Sequence, residues 1–238
     1  MRRRLPTTQW SLVLAAASRQ QTEDSDSALA TLCQDYWYPL YAYIRSRGYS
    51  AADAQDLTQE FFTLLLEKHF LRDANPERGR FRSFLLAAVG HFLSNQQDRQ
   101  RAQKRGGGTT VVSLELDDAE GRYIAEPSHS ITPEKVFERS WTLTLLDRVL
   151  AQMEKEYART GKSRLFAGLK RYLTGAENLV AYGIMAAELN MTEAAVKVAI
   201  HRLRRRFRDL LREQVAETVA DAREIDPEIR HLLSTLSP

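Results

Sequence analysis

A single cysteine, Cys33, is all the thiol chemistry this chain holds, so neither a disulfide within the chain nor a cysteine-based zinc site can form. Cys33 lies among apolar residues at helical spacing, where a small buried hydrophobe is its simplest role. No run approaches the ~20 uninterrupted apolar residues that a membrane-spanning helix needs. The opening MRRRLPTTQWSLVLAAAS has basic and apolar parts, but Gln9, Trp10 and Ser11 interrupt them and no cleavage pattern follows. Thr8 reads instead as the N-cap of a short amphipathic helix. The expectation is a cytoplasmic protein with no membrane partner.

Catalytic signatures are missing as well. His69, His91, His129, His201 and His231 are scattered without metal-ligand spacing, and no G-x-S-x-G elbow occurs. RTGKS, at Arg159 to Ser163, imitates the end of a phosphate-binding loop, but the required earlier glycine falls at Glu156 and a helical pattern precedes it. The sequence therefore predicts no enzyme, no metal and no cofactor. Lys plus Arg (34) barely exceed Asp plus Glu (31), a formal charge of +3, so any argument for a nucleic-acid partner must come from where charge clusters.

What is present is helical periodicity. Two-residue alternation is confined to Val111 to Leu116, whereas nearly every long segment repeats apolar residues at three and four. Leu29, Leu32, Cys33, Tyr36, Leu40, Tyr43 and Ile44 mark a first long helix, expected to kink or restart at Pro39 and to close at Gly48. Ser50 with Asp53 is an N-cap signal for a second helix burying Ala54, Leu57, Phe61, Leu64 and Leu65. A charged loop, Arg72 to Arg80, leads to a third, which buries Phe84, Leu85, Ala88 and Phe92 and turns polar from Ser94 to Arg105. Gly106-Gly107-Gly108 and the acidic stretch after it read as a tether. Thr132-Pro133-Glu134 starts another helix, with Phe137, Trp141, Leu145 and Val149 on one side. The fold class expected is all-α: a helical domain over residues 1–105, a flexible acidic linker over 106–132, a second helical domain over 133–220 and a helical tail over 221–238.

The strongest local signal runs from Tyr182 to Leu211. A short helix ends at Asn190, which tolerates left-handed geometry; Met191 plugs the corner, and Thr192 caps the next helix. There Val196, Ile200, Leu203, Phe207 and Leu210 recur at four, three, four and three, leaving Lys197, His201, Arg204, Arg205 and Arg208 largely outward. This is helix-turn-helix spacing, in which the second helix enters the major groove. Arg202, Arg204, Arg205, Arg206, Arg208 and Arg212 face only Asp209 as local opposition, and guanidinium groups at successive turns suit phosphate or guanine. The DNA-contacting residues expected here are Thr192, Glu193, Ala194, Lys197, His201, Arg202 and Arg205.

AELNMTEAAVKVAIHRLRRRFRDLL resembles domain four of extracytoplasmic-function sigma factors. YWYPLYAYIRSRGYSAADAQDLTQEFFTLLLEK followed by GRFRSFLLAAVGHFL resembles their domain two. The two blocks stand in family order and, with their supporting helices, cover most of Thr7 to Glu217. The resemblance implies a transcription initiation factor that brings core RNA polymerase to promoter DNA. In that picture Asp53, Asp56, Gln59 and Glu60 dock on a basic coiled coil of the polymerase. Asn75, Arg80, Asn95, Gln96, Arg99 and Arg101 hold the melted strand of the minus-ten element. Asn75 and Phe81 are candidates for its base pocket, with a core position for Phe81 equally open. The helix-turn-helix reads the minus-thirty-five element. The acidic linker threads the RNA exit path or is a plain spacer, and an anti-sigma protein is a common further partner in the family. The chain departs from the pattern at Ala87 and Gly90, where relatives often carry arginine, and at Gly183, where an acidic residue is common. A stand-alone helix-turn-helix regulator is the alternative; it would have no need of an acidic docking helix.

Overall fold

The computed structural model describes residues 23–67, 80–102, 116–125, 131–173, 181–219 and 221–237. Among them every regular element is helical and no strand occurs. In chain order these are α1 (Glu23–Ser46), α2 (Ala51–Glu67), α3 (Phe81–Ala102), α4 (Leu116–Ala125), α5 (Pro133–Arg159), α6 (Ser163–Leu169), α7 (Tyr182–Leu189), α8 (Glu193–Ala216) and α9 (Ile225–Ser234), with short 3-10 turns at Lys170–Tyr172 and Ala222–Glu224. The all-helical class follows from the periodicity. Residues 111–115, most of the alternating stretch, lie outside the described residues.

Contacts divide the chain into two units. One draws on Met1–Thr144 and Ala216–Pro238, the other is Leu145–Val215. This grouping differs from the expected boundaries at 105 and 133: the first half of α5 and the C-terminal helix belong with the N-terminal helices. The reason is where their apolar residues go. In the first unit α1 buries Tyr36, Leu40, Tyr41 and Ile44, α2 buries Ala54, Leu57, Phe61 and Leu65, and α5 adds Val136, Phe137 and Trp141 to the same core. Tyr36 joins them, its ring edge-on to Phe81 with centroids 5.4 Å apart and stacked on Trp141 at 6.4 Å. Each such buried side chain contributes roughly 1.5 to 3 kcal/mol relative to exposure.

Several expectations for this unit need correction. Helix α1 runs through Pro39 with no restart. The proline ring removes one donor, but Tyr36, Leu40, Tyr43 and Ile44 on both sides of it are buried together, and packing of this kind outweighs one lost helical bond. The buried stripe of α3 is Phe81, Leu85, Val89 and Leu93, so Phe84, Ala88 and Phe92 are half-buried flanks. Leu64 and Cys33 are likewise half-buried, and burial pushes the Cys33 thiol above its ordinary value. Phe81, 3% exposed, is a core residue, which removes it from the base-pocket candidates.

The segment expected to be a tether contains α4. Its Glu120 receives Arg45 Nε at 2.9 Å and Nη2 at 2.6 Å, and the Tyr41 hydroxyl donates to the same carboxylate at 2.5 Å. The Arg45 guanidinium also lies 4.9 Å from the Tyr123 ring, and Arg122 lies 3.9 Å from that of Tyr38. These contacts fasten α4 to α1. The hydrogen bond from Arg45 holds the Glu120 carboxyl below the usual range despite its partial burial, while burial, followed by that carboxylate, drives the Tyr41 phenol upward.

Local signals fixed the helix starts. Asp53 N donates to Ser50 Oγ at 3.1 Å while Ser50 Oγ donates to Asp53 Oδ2 at 2.7 Å, a reciprocal cap on α2. Gly48 adopts φ +92°, the left-handed geometry that lets α1 stop there. Phe81→Ala is expected to cost about 3 to 5 kcal/mol, as loss of a large core aromatic does. Urea unfolding checks it: a lowered midpoint is expected, and an unchanged midpoint would return Phe81 to the surface.

Candidate nucleic-acid interface

The helix-turn-helix forms within the unit Leu145–Val215 and follows the local chemistry. Asn190 takes φ 52° and ψ 47°, and the Met191 amide reaches back to the Ala186 carbonyl at 2.9 Å, closing α7. Thr192 Oγ1 then accepts the Ala195 amide at 3.2 Å and starts α8. Helix α8 buries Val196, Ile200, Leu203, Leu210, Leu211 and Val215; Phe207, expected in that stripe, is half-buried.

The outward surface of α8 separates into two stripes. Lys197, His201, Arg205 and Arg208 recur at four, four and three and are exposed. The Lys197 ammonium stands 5.5 Å from the Tyr182 ring of α7, which is itself stacked on Tyr172 at 5.8 Å. Ala194, Val198 and Arg202 form the second stripe and line an open groove of about 630 Å³ shared with Tyr157 and Lys162. Val198 is 51% exposed there. The seven expected DNA-contacting residues are thus all exposed, but Ala194 and Arg202 face this groove.

Glu193 has a further constraint. A Cβ on Gly183 would come within 2.9 Å of Glu193 Oε1, so the missing side chain at 183 makes room for the Glu193 carboxylate beside α7. A bulkier residue there would displace that carboxylate, an inexpensive move for the free end of a flexible side chain.

Arginines of the basic run are occupied, Arg204 and Arg206 among them. Arg206 donates Nε at 2.8 Å and Nη2 at 2.6 Å to Glu156 and also pairs with Glu213 at 3.4 Å. Arg204 gives Nε and Nη2 to the Tyr172 carbonyl at 3.2 and 3.0 Å. The expectation that Asp209 is their only opposition is therefore replaced, because Glu156 and the Tyr172 carbonyl come from distant sequence. The hydrogen bond from Arg206 lowers the Glu156 pKa, outweighing burial, and Glu156 raises that of Arg206.

In the first unit, Asp53, Asp56, Gln59 and Glu60 are all exposed on α2, with Asp53 engaged in the cap. Glu60 accepts a hydrogen bond from Gln96 of α3, so the acidic face and the polar end of α3 adjoin. Asn95 is exposed. Arg99 and Arg101 lie on the helical part of α3, but their side chains, and all of Asn75, fall outside the described residues. Arg80, expected to meet DNA, is instead paired with Glu228 of α9. That partner, and Arg82 beside it, were missed. A lone arginine inside the run Phe81 to Leu85 was the available signal, since a charge at a core position demands a counter-charge.

Among the described residues no group of His, Cys, Asp or Glu is arranged to hold a metal ion, and no helix is long and apolar enough to cross a membrane. Comparison with protein-family models, curated proteins and solved structures found no match.

The lowered Glu156 pKa fixes the sign of a pH effect. A carboxyl depressed in the folded state stabilises fully above its unfolded value and loses that contribution as pH falls through the folded one. Glu156→Gln should therefore cost about 1 kcal/mol at pH 7, since the pair is partly solvent-screened, and the gap from the native chain should narrow as pH falls below 4.5, the ordinary value, and close once pH is below the depressed folded one. Urea melts at both pH values check this; a gap independent of pH would deny the ion pair its role.

Proposed function

We propose that this chain is a transcription initiation factor of the extracytoplasmic-function sigma type, acting in the cytoplasm by carrying core RNA polymerase to promoters. One observation carries the reading: a helix-turn-helix with an exposed stripe of Lys197, His201, Arg205 and Arg208 belongs to one contact unit, while a helix with an exposed acidic face belongs to the other. A factor bridging DNA and a basic polymerase surface needs both signs of charge, each on its own surface. The resemblance of both blocks to that family, in family order, supports the same assignment.

In this reading Lys197, His201 and Arg205 read the upstream element as duplex, with Thr192 and Glu193 at the entrance of the groove. Asp56, Gln59 and Glu60 dock on polymerase. Asn95, Gln96, Arg99 and Arg101 hold the opened strand, together with Asn75 of the preceding loop. Unstacking costs a few kcal/mol per base, which contacts to the exposed base and its phosphates repay. An anti-sigma protein would act by covering one of these surfaces.

The direct test is transcription in vitro: the purified chain added to core polymerase on a genomic library should start transcripts from a defined promoter class, and no association with core, or no initiation, would overturn the proposal. Lys197→Ala and Arg205→Ala should each weaken upstream-element binding by about 1 to 3 kcal/mol where the side chain makes a bidentate base contact. Equal affinity in a fluorescence titration would withdraw the residue. Reversing Asp56 and Glu60 together to lysine should abolish co-purification with core enzyme while duplex binding stays as before; undiminished co-purification would place the docking face elsewhere.

A further inference from the structure

Glu228 of α9 has no exposed side-chain surface, and it meets the cations Arg80 and Arg82 at the start of α3. Arg82 is 3% exposed, and its guanidinium also lies 4.9 Å from the Trp141 ring. All three guanidinium nitrogens of Arg82 and both Glu228 oxygens lack an aligned hydrogen bond, so the contact is an ion pair by proximity without bond geometry. A buried pair of this kind pays desolvation of both charges and recovers less than an aligned one.

The apolar part of the docking is small. Only Glu228 and Leu232 of α9 are buried, while Leu233 is 46% exposed. The polar clasp on α5 includes Thr142 and Thr235 hydroxyls 3.2 Å apart, Arg139 reaching the Leu236 carbonyl at 3.4 Å, and His231 at 3.5 Å from Glu138. A helix of 10 residues does not persist alone in water, so α9 is either docked through Glu228 or unfolded.

We infer that α9 is an internal competitor of single-stranded DNA, its Glu228 carboxylate filling the Arg80 and Arg82 site that a phosphodiester takes when α9 leaves. The inference rests on the proposed function for the identity of the anion, since the loop that ends at Arg80 is there assigned to the opened strand. A phosphodiester carries the same charge as the carboxylate, and its oxygens can be approached from more directions by two guanidinium groups. Arg80, 36% exposed, is where the incoming phosphate makes first contact.

The test uses the full chain and a fluorescein-labelled single-stranded DNA oligonucleotide of mixed sequence, read by anisotropy across a salt series. Glu228→Gln should tighten binding at least tenfold and steepen the log–log salt dependence by about 0.7 for each phosphate newly contacted. Adding Arg80→Ala to that variant should remove most of the gain. Unchanged affinity and slope in Glu228→Gln overturn the inference. A second measurement needs no variant: on the native chain, amides of Ile225–Ser234 should exchange hydrogen faster when the oligonucleotide is saturating, and equal or greater protection overturns the inference. Association with core polymerase is measured beside these. Its absence, with competition intact, sinks the sigma reading alone; its presence, with no competition, sinks the internal competitor alone.

Discussion

Three carboxylates reach across the fold to arginines far from them in sequence, and the cost of leaving charge dehydrated and unpaired makes these contacts decisive. Glu120 takes Arg45, Glu156 takes Arg206, and Glu228 takes Arg80 and Arg82. The first two are bidentate and partly solvated, the form in which an ion pair returns the most for its desolvation. The third is buried and unaligned. The same pairing of charge therefore yields two hydrogen-bonded staples and one buried contact without bond geometry.

This allocation also decides what is left for a partner. The chain carries almost equal numbers of acidic and basic groups, so its surface would be electrically mixed if every arginine were outward. The run Arg202 to Arg212 is thinned by Glu156, Glu213 and the Tyr172 carbonyl, and what remains on α8 is a narrower stripe with a defined period. On the other unit the acidic face of α2 keeps Asp56 exposed, while Asp53 spends part of its charge on the cap and Glu60 on Gln96. Fixed positions on each stripe, more than bulk charge, give a surface its partner preference.

The legible parts of the sequence were those governed by neighbours within a few residues. Ser50, Thr132 and Thr192 marked helix starts, and Asn190 marked the turn, because caps and left-handed residues act on backbone three or four positions away. The short helix closed by a left-handed Asn190 is present as Tyr182–Leu189. Illegible were features set by residues 50 to 75 positions away, such as Arg206 with Glu156 and Arg45 with Glu120. Nothing local to LDDAEGRYIA distinguishes a docked helix from a solvated one until Tyr41 and Arg45 are in place. Pro39 offered a kink or a restart, and of the two the restart does not occur: its local rule is sound, but the aromatic core around it is worth more than one backbone bond. The surface of α8 and the start of α3 show the same contrast. The exposure of Lys197, His201 and Arg205 could be read from period alone, whereas the pairing of Arg80 required knowing that the last helix returns to α3.

Under the proposed reading the two ends of the exposed stripe on α8 would do different work. From Lys197 to Arg208 the helix rises about 16 Å at ~1.5 Å per residue. A recognition helix presents its N-terminal residues to base edges, so Lys197 and His201 would serve sequence readout and Arg208, further along, phosphate. Tyr182 strengthens that division. Its ring beneath the Lys197 ammonium limits where the chain end can swing, and a restrained cation discriminates between base pairs better than a freely rotating one. Arg205 stands at the boundary of these two roles, within one turn of both.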